Sequence, residues 1–206
     1  MIISRKHRFI FVAIPKTGTH SVRRALREHL APDDLEQVGL FVKRLLPYQE
    51  LAAMQHGHIS LSQLRPHLGA EAFGAYFKFA FVRNPFDRFI SYCAFVTRET
   101  AEFEHDPRGV MRQILHERPT DHVLFAPQHS FLTDEHGELL SDAIGRVETM
   151  QADYDRFAAR LGFPSTQLAR VNSSRRGNYR AYYDKQLADG VSELYRRDLD
   201  LFGYTF

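Results

Sequence analysis

A single cysteine, Cys93, stands among the 206 residues, so no internal disulfide can form. Net charge is also small. The 27 Lys and Arg against 25 Asp and Glu leave a formal net charge of +2, too little to argue for a nucleic-acid partner, although local basic patches can still hold anionic substrates. No apolar run is long enough to cross a bilayer, and the first strand begins before a signal-peptide pattern could fit, which predicts a cytoplasmic protein with no integral membrane segment. Internal repeats and low-complexity tracts are absent. The acidic motif of a magnesium site is missing too, and no metal is expected. What is there is a globular composition, with 44% hydrophobic and 13% aromatic residues, sized for one domain over residues 1–206 whose core covers both faces of a sheet.

Residues 9–14 form an uninterrupted apolar run, rich in β-branched and aromatic side chains and too short for a helix, as expected of a parallel strand covered on both faces. Pro15 stops it. Lys16, Thr17, Gly18, Thr19, His20 and Ser21 follow, and then Val22, Ala25, Leu26 and Leu30 recur at helical spacing. The loop therefore opens a helix, which is phosphate-binding chemistry. Gly18 lets the backbone come close to a ligand, the free amides of the first helical turn point at it, Thr17, Thr19 and Ser21 offer hydroxyls, and Lys16 adds a point charge. The pattern is not G-x-x-x-x-G-K-[ST], because Lys16 precedes Gly18 and the first glycine is absent. A strand and a helix joined by a polar turn is the plainer alternative.

A second junction repeats the plan. Residues 76–82 read as a strand, while Phe86, Phe89, Ile90 and Cys93 mark the buried face of the helix that follows, so Cys93 is expected to pack in the core. Asn84 suits the N-cap, Pro85 the first helical position and Asp87 the first turn. Arg83 is thereby placed at the strand's C-terminal end, where open α/β sheets bind ligands and where a guanidinium can grip a phosphate with two parallel hydrogen bonds. Ser91, two turns along the helix, can share that phosphate. Taken alone, an arginine beside a helix start is more often a surface or ion-pair residue.

Between the junctions lie His56 and His58, which share one face of an extended segment because side chains alternate. By themselves they read as surface or structural histidines, and no third ligand is spaced to favour zinc. Residues 31–50, with Lys43 and Arg44, and residues 100–122, with Arg108, Arg112 and Arg118, are candidates for an acceptor-binding rim or else helical connections with solvated charge. A hairpin turn is expected around Asp134 to Gly137, a short strand at residues 144–147 and helical stripes at Tyr154 to Leu161, stopped by Gly162, and at Leu187 to Tyr195. Glu148, at the end of that strand, suits a structural pair better than catalysis.

In the order IPKTGTHS, HGH at residues 56–58, FVRNPFDRFISY and VNSSRRGNYRAYY, with Pro127-Gln128, IGRVE and a closing LFGYTF, the chain resembles the carbohydrate sulfotransferases of sulfotransferase family 2 and is similar to the heparan sulfate 2-O-sulfotransferases. The resemblance implies a three-layer α/β/α fold with a mainly parallel central sheet, like that of the P-loop nucleoside triphosphate hydrolases. It implies a donor, 3′-phosphoadenosine 5′-phosphosulfate, and a carbohydrate or other hydroxyl-bearing acceptor. It places Lys16, Thr17, Gly18, Thr19, His20 and Ser21 on the 5′-phosphosulfate, Arg83 and Ser91 on the 3′-phosphate, and Ser174 with Arg175 or Arg176 in a basic loop over the nucleotide. His58 becomes the general base, with His56 orienting it or the substrate, and Lys16 stabilises the leaving phosphate. Animal members are anchored in the Golgi, so a soluble, bacterial-type enzyme is a departure from them. A nucleotide-dependent kinase and a non-catalytic anion-binding module are the competing functions.

Overall fold

Phe9, Phe11, Phe77, Phe79 and Phe81 alternate with Ile10, Val12, Ala80 and Val82, and all of these side chains are buried, as strands covered on both faces require. The computed structural model describes residues 1–39, 44–164, 166–169 and 178–206. In chain order its strands are β1 (Ile2–Ser4), β2 (Phe9–Val12), β3 (Leu35–Glu36), β4 (Phe77–Val82) and β5 (Ala143–Arg146). Its α-helices are α1 (Thr19–Arg27), α2 (Gln49–Ala53), α3 (Leu61–Leu68), α4 (Ala70–Ala75), α5 (Pro85–Val96), α6 (Glu102–His105), α7 (Pro107–Glu117), α8 (Met150–Leu161), α9 (Lys185–Leu194) and α10 (Arg196–Phe202). The class is α/β.

The five strands lie in the order β3-β1-β2-β4-β5. β2, β4 and β5 run parallel, whereas β1 pairs antiparallel with both β2 and β3. The sheet is mixed, and this corrects the expectation of a mainly parallel one. The cause is the chain before Phe9: residues 5–8 make a turn far too short for the dozen or more residues that a parallel crossover needs, so Ile2–Ser4 folds back as a hairpin. Asp34 secures that turn, accepting from Ser4 Oγ at 2.8 Å, from the Arg5 amide at 2.6 Å and from the Ala31 amide at 2.9 Å.

Two compact units make up the chain. The first comprises Met1–Val82 and the segment that starts at Ser130, and it contains the whole sheet. Its core joins the phenylalanines of β2 and β4 to Val22, Ala25 and Leu26 of α1 and to Tyr154, Phe157 and Ala158 of α8. Gly162, left-handed at φ 73°, ends α8 as its sequence position predicts. The second unit comprises Arg83–His129 and the C-terminal segment through Phe206. Phe86, Phe89, Ile90 and Cys93 of α5 pack there with Met111, Phe125, Leu187, Val191 and Tyr195.

Candidate active site

The loop after β2 is built by two left-handed residues, Lys16 at φ 66° and Gly18 at φ 70°. For lysine this conformation is costly, and tertiary structure must hold it there. Thr17 is fully buried and its hydroxyl donates to the Ile14 carbonyl at 2.9 Å, which ties the loop to the end of the strand. Gly18 is the N-cap of α1 and supplies no side-chain cap, and no acidic residue stands in the helix's first turn. The positive end of α1 therefore has no side-chain cap and no first-turn carboxylate of its own. Thr19 and Ser21 are buried in that turn, and His20 is partly buried with its pKa lowered by burial first and then by Arg23, Arg27 and Lys16.

His58 reaches this loop from 45 residues away, its Nδ1 lying 2.6 Å from the carbonyl oxygen of Ala13. A carbonyl only accepts, so Nδ1 carries the proton and Nε2 is left as the nitrogen with the free lone pair. Burial pushes the pKa of His58 from 6.5 down to about 3, despite the opposing hydrogen bond to Ala13, so the ring is neutral. Its segment is anchored at each residue. The His56 carbonyl accepts from Gln37 Nε2 at 2.8 Å, and the Gly57 carbonyl accepts from the Met1 ammonium at 2.6 Å and from Arg23 Nη2 at 3.3 Å. Only glycine fits at position 57, because a Cβ there would sit 2.1 Å from the Gln37 carbonyl oxygen. His56 accepts from the His58 amide through Nδ1 at 3.3 Å, and the two rings are 6.0 Å apart. Burial lowers the pKa of His56 as well.

In the second unit, Asn84 caps α5 by accepting from the Phe86 amide, with Pro85 in the first turn, as the sequence predicts. Arg83 forms an ion pair with Asp87 at 2.6 Å, and its own amide and carbonyl are both bonded to the side chain of Gln128, each at 2.9 Å. Ser91 is buried two turns into α5.

A family model described as sulfotransferase family matches residues 1–205, nearly the whole chain. The chain belongs to the sulfotransferase family. No curated protein and no solved structure matches it.

Within this sulfotransferase, one unit brings together Lys16, Thr17, Gly18, Thr19, His20, Ser21, His56 and His58, whereas Arg83 and Ser91 belong to the other. Ser174, Arg175 and Arg176 lie outside the described residues, as does Lys43. Several rim candidates are engaged within the protein: Arg44 pairs with Glu36, Arg108 donates to the Tyr182 and Ala181 carbonyls, and Arg112 pairs with Asp184. Glu148 is exposed on the turn after β5. Among the described residues, no group of three or more His, Cys, Asp or Glu is placed to hold a metal ion. No described helix is long and apolar enough to cross a membrane. Sequence reasoning missed the buried Arg23, Gln37 and Asp198. A buried polar residue whose partners are backbone groups far along the chain leaves no local pattern.

Proposed function

We propose that this sulfotransferase moves a sulfuryl group from 3′-phosphoadenosine 5′-phosphosulfate to a hydroxyl of a carbohydrate or similar acceptor. The observation that carries the proposal is the hydrogen bond from His58 to Ala13, which seats a neutral imidazole of defined tautomer at the base of the Lys16–Ser21 loop. The acceptor oxygen attacks sulfur, its proton passes to His58 Nε2, and the bond from sulfur to the bridging oxygen of the 5′-phosphate breaks. Lys16 and the first-turn amides of α1 offset the charge that grows on the departing phosphate. An imidazole with a pKa of about 3 is a weak base, but an anionic donor beside it favours the protonated form and raises that value.

Arg83 and Ser91 take the 3′-phosphate, with Arg175 or Arg176 closing over the nucleotide. The same proposal includes a three-layer, P-loop-like arrangement of the fold and work in the cytoplasm without a metal. Transfer of labelled sulfuryl groups to a panel of sugars tests it. The wild type is expected to transfer without magnesium, and His58→Asn to bind adenosine 3′,5′-bisphosphate but transfer nothing. Transfer from ATP that depends on magnesium would instead identify a kinase.

A further inference from the structure

Arg83 is held by its backbone as well as by its side chain. Gln128 is fully buried, accepts from the Arg83 amide through Oε1 and donates to the Arg83 carbonyl through Nε2, so one side chain satisfies both polar groups of a residue just past the end of β4. Gln128 is itself fixed. Its amide donates to Oδ2 of Asp198 at 2.8 Å, and Oδ1 of Asp198 accepts from the His129 amide at 2.8 Å and lies 2.7 Å from His129 Nδ1. Asp198, on α10, is fully buried. The buried Arg88 of α5 also donates to this segment, to the carbonyls of Ala126 at 2.8 Å and Leu124 at 3.2 Å. Two buried ionisable side chains are thus spent on the short backbone segment from which the Gln128 side chain reaches Arg83.

Burying charge is expensive and is weak evidence for stability alone. What such an arrangement provides is position, because a group that must meet a ligand within about half an ångström needs its supports locked in turn. We infer that Gln128, backed by Asp198, is a positioning residue that aims Arg83 at the 3′-phosphate of the donor. The inference rests on the proposed role of Arg83. Gln128 touches no ligand itself and acts through the Arg83 backbone, while Asp87 fixes the guanidinium.

Calorimetric binding of adenosine 3′,5′-bisphosphate and adenosine 5′-phosphate tests both layers. The wild type is expected to prefer the bisphosphate, and Arg83→Ala to erase that preference. Gln128→Met, which keeps the volume but loses both hydrogen bonds, is expected to weaken bisphosphate binding about tenfold, the lower end of what losing a support behind a metal-binding residue costs. It should leave monophosphate binding unchanged and add nothing in the Arg83→Ala background. Asp198→Asn, a gentler change one step further back, is expected to move the same ratio in the same direction and serves if Gln128→Met does not fold. If Arg83→Ala keeps the wild-type preference, the assignment of Arg83 fails and the inference with it. If Arg83→Ala loses the preference while folded Gln128→Met, or failing that Asp198→Asn, retains it, the inference alone is overturned.

Discussion

His58 gives the sharpest quantitative test, because its burial links folding to pH independently of any substrate. In the unfolded chain a histidine takes up a proton near 6.5, and in the folded protein His58 does so only near 3. Below 6.5 the unfolded state therefore binds the extra proton. Stability is level above 6.5 and falls as the pH drops from 6.5 toward 3. Each unit of that window is worth about 1.4 kcal/mol, so at pH 5 the contribution of His58 is a loss of about 2 kcal/mol relative to pH 8. Any folded value below about 4 gives nearly the same loss at pH 5, which frees the prediction from the depth of the shift. His58→Asn removes the titration while placing an amide N–H where Nδ1 stands, so the bond to Ala13 survives. Urea unfolding of both proteins at pH 8 and pH 5 should show the wild type losing about 2 kcal/mol more than the variant. Equal losses in the two proteins would mean that His58 is not held neutral by the fold.

Gly57→Ala forces a Cβ to within 2.1 Å of the Gln37 carbonyl oxygen and 2.5 Å of Arg23 Nη2, and is expected to cost about 2–3 kcal/mol in urea unfolding. Gly18→Ala strains a left-handed position and meets Met150 Cε at 2.7 Å, but that methyl can swing aside; a loss of about 1–2 kcal/mol, together with weaker bisphosphate binding, is expected from unfolding and calorimetry. For Lys16→Ala, turnover should fall by about two orders of magnitude, the effect of losing one preorganised donor, while bisphosphate binding drops far less. Normal turnover in that variant would remove Lys16 from the chemistry.

The parts of the fold written in neighbouring residues were legible. The strand run ending at Pro15, the Asn84-Pro85 start of α5 and the Gly162 stop of α8 each depend on local sterics or on hydrogen bonds a few residues long. β1 and β3 were not legible, at three and two residues, because no period can be read over so short a span, and with them went the mixed character of the sheet. The site divides in the same way. The family resemblance pointed to His58 and Arg83, but the bonds that fix them, to Ala13 and to Gln128, each span 45 residues and involve backbone groups that every residue possesses. Nothing in a sequence marks which carbonyl will be used.

The histidines near the loop share an electrostatic setting that bears on when the proposed base can act. His20 and His58 have their pKa values lowered by burial and then by cations, with Arg23 acting on both. Arg23 is itself buried, its pKa depressed to about 10, and its Nη2 is committed to the carbonyls of Gln37 and Gly57. The positive charge cannot leave without unmaking the segment that carries His58. Such a surround disfavours an imidazolium and favours an anion by the same Coulombic interaction, so the two effects are coupled through whatever occupies the loop. With the loop empty, the imidazole holds too little affinity for a proton to draw one from a hydroxyl. With a multiply charged donor in place, the cations are offset and the proton affinity of Nε2 rises. On the proposed mechanism, base strength therefore rises with donor binding, against a depression set first by burial and only then by the nearby cations.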